Sequence, residues 1–232
     1  MAGTLQFVQM IYDDSHRVEL YDFATPYFNH VLSPYFENDV IQRLVPSMDA
    51  DYLSVCSWRL WRKRGDVHHW LKNDTTLTKD KILSCDADVG ILTPRSPAHR
   101  PLYMAVNWHG VNWVEPFNRF KSFIRSLGLA VPDVKEFGDP DLKYTIYENH
   151  FVTRKEIYHD YVINYLRPSI HFMDQDPIFM GPSGYNQKKR DRAEIKRIQG
   201  ILGMQDWPIA PFILERLFAI YCHNKDFKVV TI

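Results

Sequence analysis

The sequence predicts an α/β domain: a mainly parallel central sheet, mixed overall, flanked by helices. Three observations carry that expectation. Short apolar runs of strand length recur along the chain, stretches with apolar residues three or four apart fall between them, and turn residues separate the two. The length of 232 residues and a 45% hydrophobic content suffice to bury one such core. No internal repeat and no low-complexity tract interrupts the pattern, so residues 1–232 read as a single domain.

Taken in order, "LQFVQMIY" (5–12) reads as a strand, closed by a turn or cap at Asp13-Asp14-Ser15. "PYFNHVLSPYFENDVIQRLV" has helical spacings cut by Pro34. "DYLSVCSWRLW" (51–61) starts β-branched and aromatic and predicts a buried strand ending near Trp58 or Arg59. "TTLTKDKIL" (75–83) carries a Thr cap and short-helix spacing, and "DVGILTP" is the next strand, closed by Pro94. "EPFNRFKSFIRSLG" (115–128) is an amphipathic helix with Gly128 as its C-terminal cap. "KYTIYENHFVT" reads as a strand and "RKEIYHDYVINYLRPSIHFM" as a long amphipathic helix. "GPSGYNQKKRDRAEIKR" is a basic loop running into a helix, "APFILERLFAIYCHN" a final helix, and "FKVVTI" the last strand.

Composition narrows the function. The 28 basic and 28 acidic residues cancel, so a protein that coats nucleic acid, which needs a basic excess, is not expected. The three cysteines are far apart and form no CxxC pair, so buried reduced thiols in a cytoplasmic setting are the expectation. No apolar run approaches the roughly 18 residues of a membrane span, and no basic-then-apolar leader opens the chain. Aromatic residues make up 14% and include six Trp, rings that serve cores and also form platforms for sugars and bases.

Two Asp-Ala-Asp segments stand out. Paired carboxylates can hold Mn²⁺ or Mg²⁺ and leave room for a diphosphate, whose charge the metal offsets as it leaves. Ligands of α/β sheets bind beyond the carboxyl ends of strands. Asp49-Ala50-Asp51 precedes its strand and so reads as a solvated turn. Asp86-Ala87-Asp88 has two alternatives. If the chain is already extended at 83–85, the pair sits mid-segment at the active edge; if the helix runs to Ser84, the pair merely opens a strand.

Several segments together resemble one family. "SPYFENDVIQRLVPSMDADYLSVCSWRLWRKR" (33–64) is similar to a Tyr-rich helix with a Glu, a strand and a His-Tyr-Arg-Arg element. Here Ser57-Trp58-Arg59-Leu60 stands in the last place and keeps the first Arg. "CDADVGILTPRS" resembles an Asp-apolar-apolar-apolar-Pro-basic strand, with Asp88, Pro94 and Arg95 in the matching positions. "ENHFVTRKEIYHDYVINYLRP" (148–168) resembles an Asn-x-Phe-apolar-x-x-Lys-Glu-apolar strand-to-helix element, and "APFILERLFAIYCHNKDFKVV" (210–230) a closing helix with Phe-apolar-x-Glu-Arg-Leu. These are features of the GT-A glycosyltransferases of bacterial capsular and exopolysaccharide clusters, with relatives in large algal viruses. The resemblance implies a nucleotide-binding half (about residues 1–95) continuous with an acceptor-binding half (about 96–232). It implies transfer of a sugar from a nucleotide diphosphate, most simply a UDP-sugar, to a glycan hydroxyl, with Asp86 and Asp88 as ligands of Mn²⁺ or Mg²⁺.

Under that resemblance Tyr12 and Asp13, ending the first strand, would meet the nucleotide base. Each role has a plain structural rival: Tyr12 as a core ring, Asp13 as a cap, Arg59 as one more solvated cation. Arg59, just past a buried strand, could bind phosphate bidentately. Asn149 and His150 are placed to meet sugar hydroxyls, and Lys188, Lys189, Arg190 and Arg192 could close over the diphosphate. An inverting transferase needs a carboxylate near the acceptor hydroxyl. Glu215 is the candidate and Asp206 its rival, beside Trp207 as a sugar platform. The competing readings are a binding module without turnover and a metal-dependent phosphatase or nucleotidyltransferase. No GxxxxGK[ST] or GxGxxG exists to suggest a kinase or dehydrogenase.

Overall fold

The computed structural model describes residues 3–12, 14–29, 33–60, 77–93, 114–132, 142–144, 146, 149–184, 199–200, 203–204 and 206–232. Among them six strands form one sheet: β1 (Leu5–Ile11), β2 (Thr25–Phe28), β3 (Tyr52–Ser57), β4 (Val89–Ile91), β5 (Phe151–Arg154) and β6 (Val229–Thr231). Their spatial order is β2-β1-β3-β5-β4-β6. β1 is parallel to β2 and β3, β4 is parallel to β6, and β5 runs against β3 and β4. The architecture is therefore α/β with a mostly parallel mixed sheet. One edge gathers the carboxyl ends of the five like-directed strands and the start of β5, and the opposite edge gathers their amino ends.

β1, β3, β4 and β5 are buried along nearly their whole length because both faces are covered. On one face Val8, Met10, Leu53, Val55, Val89, Ile91 and Phe151 pack with residues of α1 (Glu37–Leu44), α4 (Lys155–Tyr161) and α7 (Leu217–His223). On the other, Phe7, Cys56 and Val152 pack with Tyr21, Leu60, Leu77 and Ile82, the last on α2 (Lys79–Ser84). Each fully buried side chain of this kind contributes roughly 1.5–3 kcal/mol. α3 (Val114–Ser126) buries Phe117, Phe120 and Ile124, spaced three and four apart, and Gly128 ends it at φ 85°. α4 continues through a π turn (Val162–Leu166) into α5 (Arg167–Asp174). In the middle of β4, a Cβ on Gly90 would collide with Ile232 Cδ1 and sit 2.9 Å from Val152 Cγ1, so any larger residue would force both side chains to move.

Three expectations are corrected and one open alternative is decided. Pro26, Tyr27 and Phe28, which open the segment read as helical, belong instead to strand β2; Pro26 is tolerated because an edge strand leaves one row of hydrogen-bonding groups unpaired. Of the strand expected over 143–153, the described part that is strand starts at Phe151, and Asn149 just ahead of it takes a left-handed φ of 56°. The final helix is two, α6 (Ala210–Leu214) and α7, with Glu215 and Arg216 in the turn between them. α2 runs to Ser84, capped by the Thr78 side chain, so the second of the two alternatives for Asp86 and Asp88 holds. No helix among the described residues is long and apolar enough to cross a membrane.

Candidate functional site at the carboxyl edge

Both Asp-Ala-Asp segments lie at the amino edge of the sheet. Asp88 directly precedes β4; its Oδ1 accepts from Arg154 Nε at 3.0 Å and its Oδ2 from the Lys228 amide at 2.9 Å. Asp86, 86% exposed, takes Lys228 Nζ at 2.9 Å, and that partner holds its carboxyl below the usual range. Five residues at about 3.3 Å each separate Asp88 from Thr93, so the pair is on the order of 16 Å from the carboxyl edge. The expectation that Asp86 and Asp88 form a metal site beside a bound donor gains no support from this placement: they open the strand rather than end it, and cationic or amide partners already face them. Asp49 and Asp51 occupy the same edge, Asp49 on Lys155 Nζ at 2.8 Å and Asp51 on the Thr4 amide at 2.6 Å and hydroxyl at 2.8 Å. Neither segment supplies an Asp at the carboxyl end of a strand, the setting that the phosphatase alternative needs.

The carboxyl edge is built differently. α1 opens there without a side-chain cap, and three consecutive residues of its entry reach three separate pieces of the chain. Phe36 meets the Trp207 indole edge-on at 4.2 Å. Glu37 Oε1 accepts from the Tyr12 hydroxyl at 3.0 Å. Asn38 Oδ1 accepts from Asn149 Nδ2 at 3.4 Å. Phe36, at φ 49°, and Asn149 are the two non-glycine residues in the left-handed region among the described residues. Such backbone costs on the order of 1–3 kcal/mol and persists where the surroundings impose it, often at functional sites.

His150, 1% exposed, follows Asn149 and sits between two hydroxyls: Ser57 Oγ lies 3.5 Å from Nε2 and Thr93 Oγ1 3.4 Å from Nδ1. Its position is fixed by the Leu92 amide donating to its carbonyl at 3.0 Å. Across β3, Trp58 stacks on His16 at 3.8 Å with the rings 9° from parallel. His16 Nδ1 accepts from the Tyr12 amide at 3.2 Å, so that nitrogen carries no proton in this arrangement. The Arg59 guanidinium lies 5.5 Å from the Trp58 ring centre and is otherwise exposed, a donor fork fixed by an aromatic plane at a strand end.

Of the residues singled out from sequence, Tyr12, Arg59, Asn149, His150 and Trp207 are thus brought to this edge. Asp206 is beside them with another task. It is 7% exposed, and its carboxylate accepts from the Gly184 amide at 2.7 Å and the Trp207 amide at 2.8 Å, tying two loops together. A carboxylate occupied in this way fits a structural clamp better than a general base. Glu215 pairs with Arg216 at 2.9 Å in the turn between α6 and α7. Asp13, Lys188, Lys189, Arg190 and Arg192 lie outside the described residues. Sequence reasoning missed Glu37, Asn38, His16, Trp58, Ser57 and Thr93; the one available signal was the polar Glu-Asn-Asp run opening a helix after an aromatic residue. Among the described residues no three His, Cys, Asp or Glu side chains gather as metal ligands.

Compared with family models, curated proteins and solved structures, the chain matches none.

Proposed function

We propose that the chain is a glycosyltransferase that binds a nucleotide-diphosphate sugar, uridine-linked, at the carboxyl edge of its sheet and passes the sugar to a hydroxyl of a glycan. The observation that carries this reading is the entry of α1, where Phe36, Glu37 and Asn38 draw together Trp207, Tyr12 and Asn149. That is the place where α/β sheets take ligands, at a crevice beyond strand ends. Arg59 binds the diphosphate bidentately and offsets the charge that grows on it as the sugar–phosphate bond breaks. Trp207 and Phe36 give the acceptor or donor sugar an apolar face, and Asn149 its hydrogen bonds, with His150, between Ser57 and Thr93, reaching the sugar only by exchanging one of those hydroxyls for it. In an inverting course Glu215 takes the proton of the acceptor hydroxyl as that oxygen bonds to the anomeric carbon.

Mn²⁺ or Mg²⁺ remains the proposed cofactor of such a transfer, but Asp86 and Asp88 do not fit it, and no step here depends on them. Calorimetric titration of UDP with and without Mn²⁺, on the natural chain, Arg59→Ala and Asp88→Ala, tests the reading. UDP binding should weaken about 10- to 100-fold in Arg59→Ala, the range of one charge-assisted pair, and stay unchanged in Asp88→Ala. Metal-dependent binding that vanishes in Asp88→Ala would return the site to the amino edge. An absence of binding by UDP, GDP or dTDP would sink the nucleotide-donor reading.

A further inference from the structure

We propose that Asn29 reads the imide edge of a uracil base, an inference that rests on the nucleotide-donor reading above. Asn29 is the first residue past β2. Its amide donates to the Ile11 carbonyl at 2.9 Å, which carries the ladder one step beyond the strand, beside Tyr12. The side chain is 3% exposed, and both its Oδ1 and its Nδ2 are buried without a hydrogen-bond partner among the described residues. Side chains alternate along a strand, and Tyr27, two residues back, packs into the core on the side of α1. Asn29 therefore faces the same side as Tyr12, whose hydroxyl is held by Glu37 of α1.

A buried amide stripped of water at both atoms is costly and calls for an explanation. Tyr158, Tyr161 and Ser169 each bury one unpaired hydroxyl inside the core, and Gln9 one amide nitrogen, while its other atom accepts from the Tyr21 amide. Asn29 differs from these in offering a donor and an acceptor side by side, at a strand end where ligands enter. A phosphate presents acceptors alone and a cation takes oxygen alone, so either leaves half of the carboxamide unpaired. The adjacent carbonyl and N–H of uracil satisfy both halves in one plane, as carboxamides do when they pair with base edges. The carboxylate of Glu37 disfavours a phosphate on this side, which leaves the diphosphate to Arg59 past β3.

Two ligands and one variant test the inference on the full chain: UDP and its N3-methyl analogue, titrated against the natural protein and Asn29→Ala, with the melting temperature of each unliganded form. N3-methylation should weaken binding to the natural protein about 10- to 100-fold, and Asn29→Ala should weaken UDP to a similar degree and abolish the discrimination. The unliganded variant should melt no lower than the natural protein, because no native hydrogen bond is lost. Indifference of the natural protein to N3-methylation, which needs no variant to observe, overturns the inference and leaves the donor reading standing. So does full UDP affinity in Asn29→Ala, a preference for ADP or GDP, or a melting temperature several degrees lower. A natural protein that binds no nucleotide overturns both.

Discussion

The two edges of the sheet solve opposite problems with similar residues. At the amino edge Asp49, Asp51, Asp86 and Asp88 are matched by Lys155, Thr4, Lys228 and Arg154, all at the starts of strands or the end of β5. At the carboxyl edge the Asn29 side-chain carboxamide has no partner among the described residues, and two non-glycine residues carry left-handed backbone. Local rules are obeyed at the amino edge and broken at the edge where the proposed donor would be held. The acidic motifs that look most like chemistry in the sequence are the better satisfied set. That contrast is why the site is assigned by unmet valence and strain rather than by carboxylate count.

The largest effect that sharpens the contrast is at Glu215. Glu215→Gln should lower turnover by about 10²–10⁴ with UDP affinity unchanged, the range for a lost general base. Near-normal turnover would remove Glu215 from the chemistry and point to a retaining course. Asp88→Ala comes next and works in the other direction. Its loss takes a carboxylate from Arg154 and from the Lys228 amide, both open to solvent, so stability should fall by no more than about 1 kcal/mol, read as a slightly lower denaturant midpoint, while turnover holds. Activity lost at full stability would mean that the two edges have been assigned the wrong way round.

Much of this fold was legible in the sequence, and the gaps have physical causes. β1, β3 and β6 are apolar runs with no competing pattern, and the long amphipathic segment from Lys155 keeps its helical spacing through the π turn. β2 was hidden because a four-residue edge strand containing Pro26 needs only one neighbour, and its aromatic residues also fit a helical spacing. The carboxyl-end rule for ligands could not place Asp86 and Asp88 until the end of α2 was known. Capping at Thr78 starts that helix, and its last turn reaches Ser84, which leaves only Cys85 before the acidic pair. Contacts such as Tyr12 with Glu37, or His16 with Trp58, join residues 25 and 42 positions apart, and no local pattern encodes them.

The smallest predicted effect separates the edges by acid. Lys155 holds the Asp49 carboxyl below its ordinary range, and the Thr4 amide and hydroxyl do the same for Asp51. A carboxyl with a depressed folded value binds fewer protons folded than unfolded. Its contribution is therefore complete above the unfolded value of about 3.9 and disappears as pH falls through the folded value. Melting temperature measured from pH 6 to pH 2 should show the natural protein above Asp51→Asn at pH 6, with the two curves converging below about pH 3.9 as the advantage is titrated away. The Lys155 and Lys228 ammoniums, raised by Asp49 and Asp86, give the mirror-image loss as pH rises above about 10.4. These groups are exposed, so raising the salt concentration should shrink both differences. A gap that widened on acidification would mean that the amino edge is strained by its carboxylates rather than held by them, and the contrast between the two edges would be lost.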